Sequence, residues 1–137
     1  MMSAGIATIA VTASVQATNW MPSATSSTGA IWYVDLDSVK GVDDILNRKA
    51  IKAWVKIDYR KVAAEKAREA RILYYFKCDE EQAKSMSRVS YRADGTVIDS
   101  YAPSYASYEP VVPDTVLSGA MQIACTAHQL NRAEPQS

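Results

Sequence analysis

Hydrophobic and polar positions alternate most sharply between Lys49 and Tyr59. Ile51, Ala53, Val55 and Ile57 take one parity, and Lys52, Trp54, Lys56 and Asp58 take the other. A period of two predicts a strand with one aliphatic face and one Lys-Trp-Lys face. Residues 70–78 repeat the pattern, with Ile72, Tyr74, Phe76 and Cys78 on one side and Leu73, Tyr75 and Lys77 on the other. Lys84 to Ala93 form a third run, in which Ser87, Val89 and Tyr91 oppose Arg88, Ser90 and Arg92. Asp94-Gly95 follows, and Thr96 to Tyr101 resumes the β pattern, so a hairpin with a type I′ turn is expected there.

Outside these runs the elements are shorter. Trp20-Met21 opens a short strand that gives way to a Ser/Thr/Gly loop over residues 23–29. Ile31 to Asp35 is aromatic and β-branched, and reads as a further strand. Residues 37–47 form a connection with one short helical turn. Arg60 to Glu69 is rich in Ala, Lys and Glu, with Lys61 and Glu65 at helical spacing. A short helix competes there with a long hairpin, and the strongly patterned strands on either side favour the hairpin. Pro103, Pro110 and Pro113 interrupt regular structure. Asp114 is the expected N-cap of a helix from Val116 to His128, with Leu117, Ala120, Met121, Ala124 and Cys125 on its apolar stripe.

These elements assemble into an α+β fold: an antiparallel sheet of about five to six strands with a C-terminal helix packed on one face. Cys78 ends the strand of Ile72, Tyr74 and Phe76, and Cys125 lies on the helix stripe. If the helix covers that strand face, the two sulfurs meet and staple helix to sheet. Closing that loop stabilises a fold by ~4 kcal/mol on the chain-entropy model. The competing reading is a pair of buried free thiols in a cytosolic protein.

The amino terminus decides between them. Residues 1–17 carry no charge, and Val15-Gln16-Ala17 fits the small-x-small pattern of a cleavage site. The segment lacks a basic start, but its apolar stretch matches an export signal and is too short to span a bilayer. The expected organisation is a signal segment over 1–17, a single domain over 18–128 and a polar tail over 129–137. No other run is long enough for a transmembrane helix. Export to the periplasm or the cell surface permits the Cys78–Cys125 disulfide. No cysteine stands at the cleavage site, which disfavours a lipid anchor.

With 137 residues, 48% of them hydrophobic and 22% charged, the chain is sized and composed for one globular domain. Lys+Arg and Asp+Glu each number 15, so the net charge is zero and a nucleic-acid partner is not expected. The balance is uneven along the chain, however. From Arg48 to Arg71 there are nine basic residues against Asp58, Glu65 and Glu69. Lys52 and Lys56 flank Trp54 on one strand face, and Arg88 and Arg92 share a face of another. Side by side, these residues would make a basic, aromatic docking surface for a protein or an anionic polymer. The plainer reading is the solvated face of a hairpin, where lysines discourage edge pairing.

Tyr101, Tyr105 and Tyr108 lie in a proline-flanked loop and offer large amphipathic contact area, or rings that pack back onto the sheet. Cys125 and His128 lack further ligands, so no metal is expected. Asp35 and Asp37 share a strand face, but without a partner acid or a pocket their expected role is in solvent or in a turn. No phosphate loop or catalytic constellation appears, so neither a cofactor nor an enzymatic activity is expected.

Several ordered stretches resemble one known family. They are Ile31 to Val39, Ala53 to Tyr59, Leu73 to Cys78, Tyr91 to Val97, and Val112-Pro113 leading into the helix that ends at Cys125. Over roughly residues 20 to 126 the chain resembles the surface-adhesin protein E family of Gram-negative bacteria. The resemblance implies a sheet with a C-terminal helix and one disulfide, and adhesion by binding host matrix proteins. It carries over no site residues. The expected function is therefore a non-enzymatic, exported, adhesin-like binding module, acting as a monomer or homodimer. The alternatives are a structural subunit of a cell-envelope assembly and a carrier of a small apolar ligand.

Overall fold

A computed structural model describes residues 19–44 and 47–133, and the expected signal segment 1–17 lies outside the described residues. Among the described residues eight antiparallel strands form one sheet: β1 (Trp20–Thr25), β2 (Ile31–Asp35), β3 (Lys40–Asp44), β4 (Asn47–Asp58), β5 (Glu69–Lys77), β6 (Gln82–Tyr91), β7 (Val97–Tyr101) and β8 (Glu109–Pro110). One helix follows, α1 (Val116–Ala133). The main path runs β1-β2-β4-β5-β6-β7, with β3 on β4 and β8 on β6. The five to six strands read from the sequence correspond to this path. The two added strands are recognisable only by their partners, because β3 reads Lys-Gly-Val-Asp-Asp and β8 has two residues.

Strand β4 is the spine of the sheet. Its second half pairs with β2, from Val34↔Val55 to Ile31↔Asp58, and its first half pairs with β3, where Lys40 meets Lys52. A 3-10 turn at Leu36–Ser38 bridges the two short strands along one edge of β4. Asp35 caps this turn, its Oδ1 accepting from the amides of Asn19 at 3.2 Å and Asp37 at 3.1 Å. The Ser38 hydroxyl donates to the Asp35 carbonyl and accepts from the Trp54 amide, so the Trp54 donor is satisfied between β2 and β3. Of the solvent and turn roles the sequence left open, Asp35 takes the turn.

The β4–β5 hairpin carries the core. Ile51↔Phe76, Ala53↔Tyr74, Val55↔Ile72 and Ile57↔Ala70 face each other on one side. Val34, Ile51, Val55 and Phe76 are fully buried, each stabilising the fold by roughly 1.5–3 kcal/mol. Residues 60–68 form successive turns without a helix, closed by the Tyr59 amide on the Arg68 carbonyl at 2.9 Å. Here strand pairing overrides the helical Lys61/Glu65 spacing. This loop folds under the sheet, where Tyr59 and Val62 pack on Ala30, Ile57, Ala70 and Ile72.

The β6–β7 turn differs from the expected type I′. Gly95 takes φ +86° while Asp94 does not take a positive φ, and the Gly95 amide donates to the Arg92 carbonyl at 3.0 Å. The turn therefore has four residues with glycine at its left-handed end. The Asp94 carboxylate accepts from the Thr96 amide and hydroxyl instead of entering the left-handed region.

Helix α1 lies across β1, β2 and β4. It starts at Val116 as expected, but its cap is Thr115 and not Asp114: Thr115 accepts from the Ser118 amide at 3.2 Å, while Asp114 stands before it at φ +63°. It runs to Ala133 instead of stopping at His128. Ala120, Met121 and Ala124 enter the core formed by Val34, Ile51, Ala53, Val55 and Phe76. Gly119 brings the helix against β1, where an added Cβ would sit 3.4 Å from both the Ala24 Cβ and the Ser23 carbonyl oxygen. The Cys78–Cys125 disulfide joins the end of β5 to the helix across a Cα–Cα distance of 5.9 Å. Helix and loop together cover one side of the sheet; among the described residues the other side carries no helix.

Candidate functional site

Strand alternation sends a mixed set of side chains to the helix-free face. Cross-strand pairing sets Tyr33 beside Lys56, Lys56 beside Arg71, and Arg71 beside Val89, forming one row from β2 to β6. Trp20 enters from β1, opposite Asp35. The Lys56 ammonium lies 4.9 Å from the Trp20 ring centroid and 4.7 Å from that of Tyr33. The Arg71 guanidinium is 5.6 Å from both the Trp20 and Tyr91 centroids. Three strand steps of ~4.8 Å separate β1 from β5, so Trp20 and Arg71 meet only because both long side chains lean inward across the sheet. Cations over ring faces are electrostatically favourable, and these rings hold both charges in place.

At one end of the row a groove of about 540 Å³ opens. Its cations are Lys56, Arg60, Arg68, Arg71 and Arg92, and its carboxylates are Asp58 and Glu69. Glu69 pairs with Arg71 at 2.6 Å, and Asp58 with Arg60 at 2.8 Å. Burial pushes the Asp58 carboxyl up, but the hydrogen bonds and charge of Arg60, with the charge of Lys56, hold it below the usual carboxylate range. Asp58 is therefore charged at neutral pH, and by formal charge the five cations outnumber the two carboxylates of the groove by three. Beside it lies a hollow of about 280 Å³, lined by Trp20, Asp35, Trp54, Arg71, Val89 and Tyr91.

A second cluster occupies the other end of the same face. The Tyr108 hydroxyl donates to the Asp44 carboxylate at 2.9 Å, and Lys84 pairs with Asp44 at 2.6 Å. The ammonium groups of Lys77 and Lys84 lie 4.2 and 4.5 Å from the Tyr108 ring centroid. Burial pushes the Tyr108 phenol above the ordinary tyrosine range, and the hydrogen bond and charge of Asp44 add to the shift. The loop preceding β8 is thereby strapped across the sheet.

The residues singled out from the sequence separate into groups. Lys52, Trp54, Lys56 and Tyr108 belong to the helix-free face, and Arg92 lies at the groove. Arg88 is opposite Ile72 and Tyr101, which places Arg88 and Tyr101 on the helix side, where Arg88 reaches the Tyr59 hydroxyl at 3.4 Å. Tyr105 is 84% exposed in the loop. Cys125 is joined to Cys78, so its sulfur is not available as a metal ligand beside His128.

Trp20, Tyr33, Arg71 and Tyr91 complete the basic face and were not anticipated from the sequence. The alternation of β5 carried part of the signal, since Arg71 has the parity of Leu73, Tyr75 and Lys77. Its pairing with Lys56 required the hairpin register. Lys84 was hidden by a bulge: Leu73 pairs with Ser87 but Tyr74 with Ser85, so Met86 is extra and the parity of β6 reverses there.

A family model described as surface-adhesin protein E matches residues 20–126. The fold is similar to that of Haemophilus influenzae protein E. One solved structure of that protein has 18% identity and a TM-score of 0.54, with 85% of this chain and 89% of that chain covered. A second crystal form has 19% identity and a TM-score of 0.51, with 82% and 98% covered. No curated protein matches the chain.

Proposed function

The chain belongs to the surface-adhesin protein E family, and on that footing we propose that it is a non-enzymatic, adhesin-like binding module, exported to the periplasm or cell surface. The helix-free face is its docking surface for an acidic protein segment or an anionic polymer. One observation carries this reading: Lys56 and Arg71 stand among Trp20, Tyr33 and Tyr91 on the side of the sheet that α1 leaves open. A face used only for solvation has no need of rings that hold its cations. Rigid aromatic and arginine side chains suit recognition, because little freedom is lost when a partner arrives. Among the described residues no helix is long and apolar enough to cross a membrane. The module acts as a monomer or homodimer.

The test is binding of the full chain to an acidic partner such as polyglutamate, followed with salt and with substitutions. Lys56→Gln and Arg71→Gln are expected to weaken binding, and added salt to weaken it further by screening. Binding unchanged by both substitutions would place the partner elsewhere.

A further inference from the structure

We propose that the groove and the adjoining hollow form a subsite for an acidic saccharide, a glycan chain bearing carboxylate or sulfate groups. This deepens the docking reading above and rests on it. The groove supplies charge: five cationic side chains against Asp58 and Glu69. Three of its arginines, at 60, 68 and 92, are exposed along its rim. Guanidinium groups suit oxyanions such as carboxylate and sulfate, two of whose oxygens they bind through paired hydrogen bonds. The hollow supplies a different chemistry. Trp20, Trp54 and Tyr91 give it aromatic walls, which Val89, Asp35 and Arg71 complete.

A pyranose ring has a flat face of C–H bonds that covers an aromatic ring, and its acidic substituent projects from the ring edge. Arg71 and Tyr91 line both cavities, so the two chemistries are joined at a shared wall. A sugar ring over Trp20 would thus put its acidic group at Arg71 and Lys56. An acidic peptide matches the charge of the groove, but its carboxylates sit on flexible stems with no flat apolar face beside them. Glu69 occupies Arg71 at 2.6 Å in the free protein and acts as an internal competitor for that arginine.

The experiment is calorimetric titration of the full chain with a heparin hexasaccharide, a neutral cello-oligosaccharide and polyglutamate of matched charge. The hexasaccharide is expected to bind most tightly and the neutral sugar least. Trp20→Ala and Lys56→Gln should each weaken hexasaccharide binding about tenfold, the loss of one good contact. Trp20→Phe keeps a ring and should retain most of the affinity, which separates stacking from any damage to the fold by Trp20→Ala. Glu69→Gln frees Arg71 and should tighten binding about threefold. Polyglutamate binding as tight as the hexasaccharide, with the same response to Trp20→Ala, would overturn the saccharide assignment and leave the docking face standing. Binding of neither polymer, or binding indifferent to both Lys56→Gln and Arg71→Gln, would overturn both.

Discussion

Tyr108 and Asp44 are 64 residues apart in sequence and share a hydrogen bond of 2.9 Å. That bond, with Lys84 on the same carboxylate, ties the loop before β8 to the strand β3. The phenol of Tyr108 is pushed up, as is that of Tyr74, which burial shields beside Phe76. Groups with raised folded pKa values contribute stability that is complete below the unfolded value of about 10 and is lost as pH rises through the folded one. Stability should therefore fall above about pH 10. Spectroscopic titration of the native chain should show two tyrosines ionising late. Tyr108→Phe should remove one of them and cost about 1 kcal/mol at neutral pH. If all tyrosines titrate together in the native state, the strap is absent in solution.

The disulfide closes a loop with a sequence separation of 47. Cys78→Ala with Cys125→Ala should lower the unfolding free energy by roughly 3–4 kcal/mol, because the denatured chain regains the freedom the bond removes. Urea unfolding with and without reductant reads this directly. Equal midpoints in the two conditions would mean that the bond is not formed in the purified protein.

The approach of Gly119 to β1 gives a size test. Gly119→Ala gains helix propensity of about 1 kcal/mol against a 3.4 Å contact with Ser23 and Ala24, and should be close to neutral. Gly119→Leu has no room and should destabilise by about 1–3 kcal/mol through overpacking. Urea midpoints of the two variants should therefore separate. Similar stability for both would mean that the helix lies farther from β1.

The core was legible because its contrast is deep. Ile51, Ala53, Val55 and Ile57 alternate with charged or aromatic residues, and the burial of β4 follows that parity without exception from residue 51 to 58. Strand β3 has one apolar side chain and forms because the 3-10 turn delivers it to the free edge of β4. The candidate site was legible only in pieces. Lys56 and Trp54 announce themselves within one strand, whereas Arg71 joins them through pairing and Trp20 through reach across three strand steps. Arg88 was expected on the basic face, but its register opposite Ile72 sends it to the helix side. Which charges share a face is a property of register, and local composition does not contain it.

The three tryptophans sample both sides of the sheet. Trp20 and Trp54 line the hollow on the open face, while Trp32 packs in the core on the helix side. Following the three indole N–H resonances by NMR during titration with the heparin hexasaccharide therefore tests the docking face most directly. The signals of Trp20 and Trp54 are expected to move together and saturate, with that of Trp32 unchanged. Movement of Trp32 alone, or saturable binding that leaves Trp20 and Trp54 untouched, would contradict the assignment of this face.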